Sequence, residues 1–114
     1  MASLNEVIHQ PVRLRIMAML TALMPEIQVT FGYLKDTLGL TDGNLGAHLR
    51  KLEEVGYVTI TKTFVHNKPQ TYVEATETGR QAFVEHSAAL REILESSQQV
   101  GKRGITDMTK EQTS

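Results

Sequence analysis

Asn44, His48, Arg50 and Lys51 fall within eight residues of the stretch T41-D-G-N-L-G-A-H-L-R-K-L-E-E54, interleaved with Gly43, Gly46 and Ala47. An amide that both donates and accepts, an imidazole and two cations make hydrogen bonds and neutralise charge; nothing beside them completes a catalytic set. Placed on a helix at about 100° per residue, Leu45, Leu49 and Leu52 fall together. The opposite arc collects Gly43, Asn44, Ala47, Arg50 and Lys51, with His48 on its flank. Glycine inside a helix costs about 1 kcal/mol relative to alanine, so small residues on the polar arc mark a face that something approaches closely. Gly46 lies toward the preceding helix and is expected to permit tight packing there. Gly43, near an N-terminus, reads also as simple tolerance, and His48, beside the leucines, also as a hydrogen-bonded structural histidine.

A second polar cluster gathers around V65-H-N-K-P-Q70, where Lys62, His66, Asn67, Lys68 and Gln70 surround a turn. Lys68 precedes Pro69, which stiffens the tip and holds the ammonium outward with less entropy to lose. No catalytic set accompanies these groups. The serines at 3, 87, 96, 97 and 114 lack a neighbouring His and Asp arrangement, and no glycine-rich phosphate loop is present. His86 with Glu85, Glu92 and Glu95 makes a poor zinc site, since it supplies a single histidine and the chain has no cysteine. Neither an enzyme nor a cofactor or metal site is implied.

The elements that must position these groups follow from spacing and capping. H9-Q-P-V-R-L-R-I-M-A-M-L-T-A-L-M-P25 places Pro11 in a first helical turn and Pro25 just past an end. Val12, Ile16, Met19, Leu20 and Leu23 recur at helical spacing, with Leu14 and Met17 forming a second apolar edge. Thr30 caps a short helix bearing Phe31, Leu34 and Leu38, and Gly39 ends it. Thr41 caps the next helix at once, so only Gly39-Leu40 separates the two, the mark of a helix-turn-helix. Y57-V-T-I-T-K-T-F64 then alternates as a strand, T71-Y-V-E-A75 returns as a second, and the pair makes a hairpin. Thr76 caps a last helix that runs to about Glu95, with Phe83, Leu90 and Leu94 on one stripe. Residues 96–114 lack sustained periodicity and read as a mobile polar tail.

Composition sets the outer limits. The 114 residues are 40% hydrophobic, enough for one domain with a modest core. Net charge is −1, but Arg50, Lys51, Lys62 and Lys68 lean the middle of the chain positive, while residues 77–95 carry four glutamates against two arginines. The absence of cysteine and of any apolar run of about 20 residues fits a cytoplasmic location without a membrane span.

The order α-α-α-β-β-α, mainly helical with a small β-hairpin, is that of a winged helix-turn-helix, expected over residues 1–95. V-I-H-Q-P-V-R-L-R-I, L-T-D-G-N-L-G-A-H-L-R-K-L-E-E-V-G-Y-V and A-T-E-T-G-R-Q-A-F resemble the small winged-helix transcriptional regulators related to the ArsR and MarR families. The resemblance implies histidine on the DNA side at His48. From the residues themselves, Gly43 and Ala47 allow close approach to a major groove, Asn44 can pair with adenine, and Arg50 and Lys51 reach guanine or phosphate. Thr41 and the helix N-terminus are expected to meet phosphate, and Lys62, His66, Lys68 and Gln70 the backbone or minor groove. Surplus apolar surface at Leu14, Met17, Phe83, Leu90 and Leu94 implies a homodimer, and a homodimer a pseudo-palindromic double-stranded operator. Repression is favoured over activation; operator sequence, regulated genes and effector are not legible. The alternative is a winged helix used as a protein-interaction module without DNA binding.

Overall fold

The computed structural model describes the backbone of residues 3–113 and the side chains of residues 3–98. Where the spacing suggested one opening helix there are two, α1 (Glu6–His9) and α2 (Pro11–Thr21). Asn5 Oδ1 caps α1 by accepting from the Val7 and Ile8 amides, both at 3.0 Å. Gln10, extended before Pro11, breaks the run and then caps α2, its Oε1 accepting from Arg13 N at 2.9 Å. The far end of α2 is closed from a distance in sequence. The Arg80 guanidinium donates to the carbonyls of Leu20, Thr21 and Met24 at 3.5, 3.3 and 3.2 Å.

The strand β1 (Val29–Thr30) leads directly into α3 (Phe31–Leu38), where Thr30 Oγ1 accepts from Tyr33 N at 3.0 Å. Gly39, at φ 65°, ends α3, and Leu40 N returns to Lys35 O at 3.0 Å. Thr41 then caps α4 (Asp42–Glu54), its Oγ1 accepting from Asn44 N at 3.1 Å. The caps read from the sequence thus define the tight helix-turn-helix. Strands β2 (Val58–Val65) and β3 (Lys68–Ala75) pair antiparallel from Val58↔Ala75 to Val65↔Lys68. β1 adds a third strand on the far side of β3, in the order β1-β3-β2. Two residues are too few to show strand alternation, so only a hairpin was expected.

Helix α5 (Glu77–Thr113) begins at Thr76, whose Oγ1 accepts from Gly79 N at 2.9 Å and donates to Gly56 O at 2.6 Å. Its backbone stays helical beyond Glu95, where the apolar stripe had suggested an end. The tail from Ser96 falls mostly outside the residues with described side chains. The core joins Ile8, Ile16, Met17 and Leu20 to Leu34, Leu38, Leu45, Leu49 and Leu52, and to Val58, Val73, Ala75 and Ala82 of the sheet and α5. Met17 has 0% exposure within this single-chain core. Met17 is therefore sealed inside one chain rather than set on a dimer surface, whereas Leu14, on the same edge of α2, is half-buried.

Candidate nucleic-acid interface

The arc of α4 opposite its leucines is uncovered. Thr41, Gly43, Asn44, Ala47, Arg50 and Lys51 are exposed, while Leu45, Leu49 and Leu52 seal the other side into the core. Burying those three leucines fixes the rotation of α4, and so decides which residues face outward. His48 is half-buried on the flank; burial first, and then the Arg13 charge, lowers its pKa. It therefore presents a neutral hydrogen-bonding ring more readily than a cation.

Gly46 does not pack against the preceding helix. A Cβ there would meet only the Arg50 guanidinium, at 3.5 Å. Gly46 instead lines a cleft between α4 and the hairpin, together with Phe31, Leu49, Arg50, Ile60, Lys62 and Thr71. A Cβ on Gly43 would meet nothing within 4 Å, so this position is open to whatever docks on α4.

Charge on this face is mixed but partly neutralised internally. Lys35 Nζ lies 3.1 Å from Asp42 Oδ1, and that hydrogen bond and charge raise the Lys35 pKa. Asp42 sits in the first turn of α4, where an unpaired carboxylate would repel a phosphate, so Lys35 removes an obstacle at the helix N-terminus. Lys51 Nζ approaches Glu54 at 3.7 Å. The sequence marked Lys51 but not Lys35, whose partner lies on the next helix and becomes visible only once the turn is closed.

The hairpin residues do not form one cluster. Residues directly opposite in the register share a face, so Lys62 sides with Thr71 toward α4, whereas Lys68 and Gln70 pair with Val65 and Thr63 on the other face. His66 and Asn67 form the turn at φ 51° and 63°, as a two-residue type I′ hairpin requires. Lys62, His66 and Lys68 are exposed, Gln70 half-buried. Among the expected dimer residues, Leu14 and Phe83 pack partly against the core, Leu90 is half-buried, and Leu94 is 61% exposed. Among the described residues, no group of three or more potential ligands is placed to hold a metal ion.

A helix-turn-helix whose second helix bares small, hydrogen-bonding and cationic side chains beside a cationic hairpin defines the winged-helix class of DNA-binding protein. Residues 12–94 match the winged helix DNA-binding domain family, and the chain belongs to it. It is 38% identical over 95 residues to an uncharacterized protein of Methanocaldococcus jannaschii, a match covering 83% of this chain and 97% of the relative. A transcriptional regulator homologue from Pyrococcus horikoshii is similar in structure at a TM-score of 0.72 with 32% identity, over 81% of this chain and 88% of that one. A putative transcriptional regulator from Salmonella typhimurium shares the fold at a TM-score of 0.64 with 20% identity, over 87% and 86% of the two chains. The protein is a DNA-binding protein of the winged-helix kind.

Proposed function

We propose that this protein is a sequence-specific repressor that binds a pseudo-palindromic operator as a homodimer, each protomer laying α4 in a major groove. The observation that carries this reading is the exposed arc of Asn44, Ala47, Arg50 and Lys51, set outward by the burial of Leu45, Leu49 and Leu52. In this arrangement Gly43 and Ala47 let the helix backbone come close, and Asn44 reads a base edge. Arg50 and His48 read or position beside it, while Thr41, Lys51 and the helix N-terminus take phosphate. The hairpin, with Lys62, His66, Lys68 and Gln70, follows the backbone into the adjacent minor groove. Pairing through α5 is supported by the exposure of Ile93 and Leu94 within one chain.

Two facts limit the electrostatic share of binding: a net charge of −1 and the acidic Glu53 and Glu54 at the end of α4. A dimer offsets this by doubling the phosphate contacts. Selection of bound duplexes from a random pool, followed by footprinting, tests the proposal. Two inverted half-sites about 34 Å apart, or a multiple of that, are expected, with affinity falling steeply as salt rises. No duplex binding at low salt would reassign the exposed face of α4 to a protein partner.

A further inference from the structure

The hairpin ends in an aromatic ring that the protein's own packing does not use. Phe64 is 73% exposed, although it stands on the face of the sheet that is buried further down. Register shows the sequence of pairs on that face: Val58 with Ala75, Ile60 with Val73, Lys62 with Thr71, then Phe64 with Pro69. The first two pairs enter the core or pack on it, and the third lines the cleft beside α4. The fourth lies about 7 Å further out along the strand, beyond the reach of the core.

Two further features describe the surroundings of the ring. Residues 55–73 contain no Asp or Glu; Asp42 and Glu53 line the cleft beside Lys62, while Lys68 lies away from that cleft on the opposite face of the hairpin. Lys62 shares the face of Phe64 and Lys68 takes the opposite face. The tip thus offers an apolar ring with one cation on its own face, two residues back along β2, and a second on the opposite face. Pro69 opposite the ring and the two positive-φ turn residues stiffen it. A minor groove is an apolar-walled slot between two rows of phosphates, so a ring that enters it leaves a cation on each face of the hairpin within reach of a phosphate row.

We propose, on the DNA-binding reading above, that Phe64 enters the minor groove flanking each half-site as an apolar wedge at a base step. Specificity then extends beyond the base pairs under α4, because opening a step is easier at flexible pyrimidine–purine steps than at stiff ones. The wedge also bends the duplex at the flank.

Competition binding of the full chain to duplexes that share the selected core but differ in the flanking step tests this, with gel mobility on circularly permuted fragments reporting the bend. The parent should prefer a TA or CA step at one flanking position and bend the duplex there. Phe64→Ala should bind roughly 10-fold more weakly, lose the flank preference and the bend, and keep both the core preference and the salt slope. Phe64→Trp, which retains an apolar ring, should keep the flank preference. Parent-like flank preference and bending in Phe64→Ala would overturn the wedge and leave the DNA-binding reading standing. Absence of duplex binding by the parent at low salt would overturn both. Altered sedimentation of free Phe64→Ala, with flank preference intact, would place the ring against a second copy of the chain and overturn the proposal.

Discussion

At the scale of single residues, Asn44 and His86 show opposite uses of a polar side chain. Asn44 is exposed in the first turn of α4, and its cap is made through its backbone amide, which an alanine would keep. Asn44→Ala should therefore leave the melting temperature nearly unchanged while costing about 1–3 kcal/mol on the preferred site and relaxing discrimination at one base pair. Retained base preference in a selection experiment would remove Asn44 from readout. His86 has 0% exposure, and its Nδ1 accepts from Asn5 N at 2.9 Å. The neutral ring must then carry its proton on Nε2, which is buried without a partner, while the His9 ring stands edge-on at 5.4 Å. A second proton would land on Nδ1 and face the Asn5 N–H. Burial first, and then His9, lowers the His86 pKa, so the unfolded chain takes up this proton at higher pH than the folded one. Stability is full above the ordinary histidine value of about 6.5 and declines as pH falls below it toward the folded pKa. Urea midpoints from pH 8 to pH 5 should show that fall, and His86→Gln, which can still accept from Asn5, should flatten it. An unchanged slope in that variant would move the proton uptake elsewhere, with His48 the next candidate because its pKa is shifted the same way. The sequence showed the arc of Asn44 because helical period alone generates it. It gave no sign of the Asn5–His86 bond, whose partners are 81 residues apart.

At the scale of elements, what could be read from the sequence was what local chemistry decides. Thr30, Gly39, Thr41 and Thr76 each cap or close a helix through bonds to residues within a few positions, and all four were visible as spacing. Features set by distant neighbours were not. Gly46 looked like a packing glycine and proved to line an open cleft, whereas Gly79, which sequence reasoning passed over, is where backbone meets backbone. A Cβ at Gly79 would fall 2.1 Å from the Tyr57 carbonyl oxygen, at the junction where Thr76 also bonds to Gly56 O. That junction sets the angle at which α5 leaves the sheet. Gly79→Ala should shift the α5 N-terminus and cost about 1–3 kcal/mol, read as a lower urea midpoint with little change in slope. A parent-like midpoint would mean that α5 can pivot freely at Thr76. Gly43→Ala is the natural contrast: its site is open, so the free protein should be no less stable, and any loss should appear in DNA binding.

At the scale of the whole molecule, the unanswered demand is cover for α5. Within one chain this helix buries Ala82, His86 and Ala89 but leaves Ile93 about half open and Leu94 largely open. Leu90 is half-buried, so a charge there would disturb the protomer as well as any partner. Leu94, at 61% exposure, is the cleaner position. A glutamate at 94 faces solvent in a lone protomer and costs it little, but in a symmetric pair it would bring two like charges toward each other across an apolar seam. Leu94→Glu should therefore sediment as a folded monomer with the parent's circular dichroism. Its DNA affinity should fall by roughly 10²- to 10⁴-fold, because the second half-site is no longer delivered by the first. The core preference per half-site should survive, since α4 and its caps lie in the body of the protomer. A dimer of parental mass would move the interface away from this stretch of α5. The half-buried edge around Leu14 and Phe83 would then be the surface to charge next, while Met17, sealed inside one chain, would stay out of contention.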